Sequence, residues 1–326
     1  MPVEVFQEPI RRRYYTRHLS CSYMFFLLTV AVMICLPFFL AYGSFGFWLK
    51  TSKYYEQPTV SYKYKFITQL QGTDSNNDPF QIFYSSAEPI NSLRDNVRIP
   101  TVKTKEVDNN IDGKSDALSF SYSMPLKQGE KVNSVNTILF FDYQLADRVR
   151  INMESLAYIS HSDSLQGSSY YTKGNLDFVQ VAPMPVGGSG TCEQYNVCGE
   201  LLDVESSFSS KDADVQTILE KYGNRNYTTV FDQHHDYWGW DLKGQVGAST
   251  FDFKADIRFE DEEVVFIPTA LEVLRDAWTK YLAMFVVVGF FLEKWCSFVY
   301  FHQVVETKMM VETFGSQVGV PHFKRF

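Results

Sequence analysis

The sequence predicts a membrane protein in which two transmembrane α-helices flank a mainly β, sandwich-like domain on the lumenal or extracellular side. Three observations predict it. Two long apolar runs stand near the two ends of the chain. A basic stub precedes the first run. The stretch between the runs alternates apolar and polar residues with a period of two.

Composition narrows the class. With 45% hydrophobic residues the chain is neither disordered nor collagen-like. Its 28 Phe and 20 Tyr suit strands and membrane interfaces better than helical bundles. A net charge of -8 argues against nucleic acid as a partner, because phosphate binding needs a basic patch.

Residues 1–22 form a tail in which Arg11, Arg12, Arg13 and Arg17 outweigh Glu4 and Glu8. The first run, Tyr23 to Tyr42, has no charged residue and contains Pro37. At about 1.5 Å per residue it reaches the roughly 30 Å of a hydrocarbon core. It exceeds the usual apolar region of a cleaved signal peptide, so an uncleaved anchor is expected. Positive charge beside a first helix stays in the cytosol, which puts both tails there and residues 43–276 in the lumen or outside the cell. The second run is expected over Ala277–Phe298, with Lys280, Glu293 and Lys294 inside it. Charged ends can snorkel, and Trp278, Tyr281, Trp295 and Tyr300 bracket the run as an aromatic belt would. Residues 299–326 form the second tail.

Inside the body, Val60, Tyr62, Tyr64 and Phe66 alternate with Ser61, Lys63 and Lys65. Leu118 to Met124 and Phe251 to Phe259 alternate in the same way, as half-buried antiparallel strands do. Further strands are expected at Thr137–Leu145, Val149–Leu156, Leu176–Val181 and Val264–Ile267, which together suggest a sandwich. One helix is expected over Lys211–Tyr222, with Ser209 and Asp212 as a capping box and Gly223 as C-cap. Another is expected to run from Thr269 into the membrane, with Pro268 in its first turn. Residues 182–190 read as a loop.

Asn226-Tyr227-Thr228 is a glycosylation sequon within the body, so Asn226 is expected to carry a glycan. Cys192 and Cys198 are the two cysteines of that segment, and an oxidising compartment would bond them. From Asp108 to Asp116 the chain places oxygen-bearing side chains at alternate positions before Gly113. In a calcium loop Asp108, Asn110 and Asp112 would give side-chain oxygens, Lys114 its carbonyl, and Asp116 a direct or water-mediated ligand. Position 12 is Ser119 rather than Glu, and a strand follows, so an EF-hand is not expected. Two readings stay open: a calcium loop of a β-domain, or an Asp/Asn/Gly-rich turn. Calcium is the one cofactor suggested. Asp232-Gln233-His234-His235-Asp236 is read as a polar surface loop, since adjacent histidines on a strand would point to opposite faces. No nucleophile elbow, Walker loop, dinucleotide fingerprint or His-Glu-x-x-His is found, and a non-enzyme is expected.

Five segments together carry a resemblance. They are GFWLK (Gly46–Lys50), EQPTV (Glu56–Val60), DNNIDGKSDALSF (Asp108–Phe120), RNYTTV (Arg225–Val230) and FHQVV (Phe301–Val305). In this order the chain resembles the transmembrane protein 231 family of the ciliary transition zone. The resemblance leaves roughly 160–220 unmatched, where the cysteine pair lies. It implies a non-catalytic component of the Meckel-syndrome module, with B9-domain proteins, tectonics, meckelin and other small transition-zone membrane proteins as partners. It further implies a location at the ciliary transition-zone membrane and a share in the barrier that controls ciliary membrane composition and cilium assembly. Two helices, short tails and a glycosylated β-rich body also describe an accessory β-type subunit of a transporter or flippase, which is the alternative. That class carries several disulfides, and here at most one fits.

Overall fold

In the computed structural model the described residues are 11–17, 20–44, 46–94, 96–187, 195, 197, 199–202, 214–240 and 249–312. In chain order the elements begin with β1 (Arg11–Tyr15), α1 (Cys21–Gly43), β2 (Ser52–Glu56), β3 (Thr59–Thr73) and β4 (Pro79–Ser85). Then come α2 (Glu88–Asn91), β5 (Thr101–Val107), β6 (Ala117–Pro125), β7 (Lys131–Leu145), β8 (Ile151–Gly167), β9 (Ser169–Gln180) and β10 (Met184–Pro185). The chain continues through α3 (Val215–Gly223), β11 (Tyr227–Gly239), β12 (Thr250–Arg258), β13 (Glu262–Ile267), α4 (Ala270–Phe301) and β14 (Lys308–Glu312). They fall into two compact units, Met1–Lys50 with Thr269–Phe326, and Thr51–Pro268.

The first unit holds the two long helices. Both α1 and α4 are long and apolar enough to cross a membrane. Ser20 caps α1 by accepting the Tyr23 N–H, and Pro37 sits inside the helix without ending it. Thr269 caps α4 in a reciprocal box with Glu272, so Pro268 precedes the cap instead of opening the first turn. The helix therefore begins seven residues before Ala277 and ends beyond Phe298. Its first two turns carry Glu272, Arg275 and Asp276, so the helix expected from Thr269 starts well before the apolar run it leads into. The helices run antiparallel. The rings of Phe25 and Tyr300 lie 6.0 Å apart, and the Tyr281 hydroxyl donates to the Ile34 carbonyl at 3.3 Å. At one end Lys280 donates to the Gly46 carbonyl and pairs with Asp276. At the other end β1 pairs antiparallel with β14, from Arg11↔Glu312 to Tyr15↔Lys308. Two segments read from the sequence as plain tails thus form a ribbon.

The second unit is the sandwich. One sheet has the order β11-β9-β12-β6-β5 and the other β4-β3-β7-β8. Alternation decides their inner faces: Leu118, Phe120, Tyr122 and Met124 of β6 are buried, as are Phe251, Phe253, Ala255 and Ile257 of β12. They meet Tyr62, Phe66, Leu70, Leu139 and Phe141 of the opposing sheet in one core. A smaller core lies on the other side of the four-stranded sheet, where Ile67, Phe83, Ile138, Phe140 and Leu156 are covered by Ile90 of α2, Leu201, Leu202 and Ile218 and Tyr222 of α3. A third sheet, β10-β13-β2, includes the two residues Met184 and Pro185, so part of the expected 182–190 loop is a strand.

Sequence and structure differ at other points. The strand β11 includes His234 and His235, which had read as a surface loop; a bulge between Gln233 and His235 broke its alternation. Within β3 the register slips between Tyr62 and Phe66, and Tyr64 sits at φ 56° with its side chain exposed. The α3 helix is described from Val215, with Gly223 its last residue and Asn224 its C-cap. Ser209 and Asp212 lie outside the described residues.

Candidate functional site

The sequence singled out the β5–β6 connection, and the structure makes it a compact loop. Asp108 accepts the N–H groups of Ile111 at 2.7 Å and Gly113 at 3.1 Å. Asn110 accepts the Asp112 N–H at 3.1 Å and donates its amide to the Asp112 carboxylate at 3.0 Å. Asp112 accepts the Lys114 N–H at 2.8 Å. Short polar side chains that bond their own backbone in this way build tight turns. Gly113 at φ 86° takes the left-handed conformation that only glycine adopts freely. Ile111 is held at φ 60° and is 88% exposed at the tip. A β-branched residue is a genuine outlier there.

Two residues fasten this loop to Gln57 in the β2–β3 connection. Asp116 accepts the Asn109 N–H at 2.7 Å and the Gln57 amide at 2.8 Å. These bonds, the Asn109 one foremost, hold its carboxyl below the ordinary range. The Lys114 ammonium donates to the Gln57 carbonyl at 2.8 Å. Gln57 was missed by sequence reasoning, because nothing local to it signals a partner 59 residues away. The five residues named for calcium are therefore in one loop, with Asp108, Asn110, Asp112 and Asp116 accepting N–H groups and Lys114 turned to Gln57. Among the described residues no three His, Cys, Asp or Glu side chains gather as metal ligands would.

Asn226 is exposed immediately before β11. Its neighbour Arg225 is 8% exposed and donates to the carbonyls of Glu154 at 2.8 Å and Gly199 at 2.7 Å. Glu154 in turn accepts the Leu201 N–H at 2.5 Å and pairs with Lys63 at 3.3 Å. This cluster ties residues 199–202 to β8 and β3. Cys192 and Cys198 lie outside the described residues. His234 and His235 are exposed on β11.

Two buried carboxylates, Glu56 and Glu130, and the half-buried Glu262 were not singled out by the sequence. Glu56 accepts the N–H groups of Ala146 and Asp147 at 2.8 and 3.1 Å, closing the β7–β8 turn. Glu130 takes a two-point ion pair from Arg98 at 2.5 and 2.6 Å, which holds its carboxyl below the ordinary range. Glu262 accepts the Phe178 N–H at 3.0 Å, yet burial, aided by Asp177 and Glu260, pushes its carboxyl up to about 7.

The comparisons with known proteins agree with the motif resemblance. The family described as Transmembrane protein 231 matches residues 1–309. The human Transmembrane protein 231 is 34% identical over 306 residues, 93% of this chain and 93% of its own length. The Xenopus tropicalis protein of that name is 32% identical over 305 residues, 93% of this chain and 94% of its own. Its Gallus gallus counterpart is 32% identical over 307 residues, 94% and 93% of the two chains. Among solved structures, a proton-activated chloride channel aligns over 86% of this chain and 98% of its own at 11% identity, with a TM-score of 0.27, too low to argue from.

Proposed function

This chain belongs to the transmembrane protein 231 family, and on that premise we propose that it is a non-catalytic scaffold of the ciliary transition zone. In this reading it sits in the membrane at the ciliary base, contributes to the diffusion barrier that sets ciliary membrane composition, and is required for cilium assembly. Its partners are B9-domain proteins, tectonics, meckelin and other small membrane proteins of the same zone. The family match over residues 1–309 is the observation that carries the reading.

Both termini are cytosolic and the sandwich is extracellular. Antiparallel α1 and α4, and the pairing of β1 with β14, support a chain whose two ends share one side of the membrane. The Arg11–Arg17 cluster supports the cytosol as that side.

The test is the full chain tagged at either terminus in a ciliated cell. A ring at the ciliary base, tags reached only after permeabilisation, and recovery of transition-zone proteins on purification are expected. Even plasma-membrane staining with co-purification of a transport ATPase would replace this reading with the accessory-subunit one.

A further inference from the structure

An exposed face of α4, beside the one that meets α1, carries a charged pair set into a seam. Val273, Ala277, Val288 and Val299 form one buried stripe of α4, and Gly289, which lies against Met33 of α1, stands between that stripe and Glu293. Successive residues of a helix are about 100° apart. The direction midway between Glu293 and Lys294 therefore points roughly opposite to Val288 and Val299. On it lie Thr279, Ala283, Val286, Phe290, Glu293 and Ser297, all exposed. Their spacing of four and three residues alternates throughout, the pattern of a helix-packing seam. Its small members would let a second helix come close, as small residues do between membrane helices.

The charges are deep. Phe25 lies level with Tyr300 and Met33 level with Gly289. Glu293 and Lys294 are thus level with the uncharged stretch of α1 between Phe25 and Met33. From Tyr300, Glu293 is about 10 Å further into that stretch at 1.5 Å per residue. Among the described residues no hydrogen bond or ion pair holds Glu293, and Lys294 lies 5.6 Å over the Phe290 ring. Intramembrane charges are costly in lipid and pair with one another where they can.

We propose that this seam is an interface with a second copy of the same chain, held by two reciprocal Glu293–Lys294 pairs. The argument is one of symmetry. Two copies in one membrane share their orientation, so their α4 helices are parallel and related by a two-fold axis along the membrane normal. Adjacent residues of opposite charge that straddle such an axis are self-complementary: each Glu293 meets the Lys294 of the other copy, offset by only about 1.5 Å in depth. A different partner would need its own Lys and Glu at that same depth. The inference needs only that α4 crosses the membrane, and it stands or falls apart from the ciliary reading.

The full chain is reconstituted in lipid vesicles at falling protein-to-lipid ratio, with donor and acceptor dyes on separate populations, and energy transfer between copies is read. Wild-type copies associate. Glu293→Lys alone and Lys294→Glu alone each set like charges against each other and weaken association about tenfold or more. An equal mixture of the two variants recovers it, because each chain then offers what the other lacks; this recovery also shows that both variants inserted. Ala283→Phe leaves the charges untouched, adds bulk to the seam and weakens association too. A wild-type chain that stays monomeric at every ratio overturns the proposal. So does a mixture that fails to recover, or an Ala283→Phe chain that associates normally.

Discussion

Glu262 offers a direct test of the sandwich interior. Its carboxyl rises from an ordinary 4.5 to about 7, chiefly through burial, with Asp177 and Glu260 adding to the effect. Between those two values the folded chain keeps a proton that the unfolded chain has lost. Stability therefore falls as pH rises through that window and is constant above it. A shift of this size corresponds to about 3 kcal/mol at most, and partial solvent access reduces it to about 1–3 kcal/mol. The perturbation is Glu262→Gln, which keeps an oxygen to accept the Phe178 N–H and removes the charge. Melting of the full chain in lipid nanodiscs is followed by intrinsic fluorescence from about pH 5 to about pH 8. Near pH 5 the variant and wild type should melt together. Near pH 8 the variant should melt about 2–12 °C higher, given roughly 2–4 °C per kcal/mol for a unit of this size. Asp177, whose carboxyl is also raised by burial, leaves a residual slope of the same sign in both. Melting curves that stay parallel across the range would refute the reasoning, because they would mean that Glu262 is ionised in the folded state throughout.

Four other outcomes are expected. Glu130→Ala strands the nearly buried Arg98 and should cost about 3–5 kcal/mol, while adding Arg98→Met should restore most of it; both are read as melting temperature. Because Arg98 depresses the Glu130 carboxyl, the contribution of that pair is present above about pH 4.5 and is lost as pH falls through its lowered value, which an acid melting series would show. Asn226→Gln should remove one glycan's mass on a gel without changing the amount of protein, and an unshifted band would show that Asn226 is bare. Millimolar calcium against chelator separates the two readings of the Asp108–Asp116 loop: a bound ion raises the melting temperature of the full chain, and equal melting in both leaves only the turn.

Period-two alternation made β6 and β12 legible, since one face of each is core and the other wet. It failed where the backbone departs from that geometry. The bulge at Tyr62–Phe66 left β3 partly readable, and the bulge at Gln233–His235 hid β11. Strand β5 escaped for a different reason: nearly all its residues are exposed on both faces, so no alternation exists to find. The tail ribbon escaped because short strands with Arg11, Arg12 and Arg13 look like a charged tail until their partner is known. Of the loop, spacing along the chain revealed the turn chemistry of Asp108 to Asp112. It could not reveal Gln57, Arg225 with Glu154, or Arg98 with Glu130, since those partners are far apart in sequence.

The segments that carry the family resemblance are also those that fasten the frame. Gly46, three residues beyond α1, sits at φ 115° and accepts from Lys280. Glu56 and Gln57 anchor the β7–β8 turn and the Asp108–Asp116 loop. Arg225 holds residues 199–202, and His302 closes α4 on the Phe298 carbonyl. These contacts hold this chain's own frame and say little about what it recognises. The α4 seam proposed for self-association lies outside those segments. The two kinds of residue should separate by experiment. A frame substitution such as Arg225→Met leaves buried carbonyls unpaired and lowers the amount of folded chain. A seam substitution such as Ala283→Phe leaves that amount unchanged and alters only how copies assemble. Assembly measured per folded chain is then constant across the first kind and falls across the second, and a seam variant that instead loses folded protein would show that the face belongs to the frame.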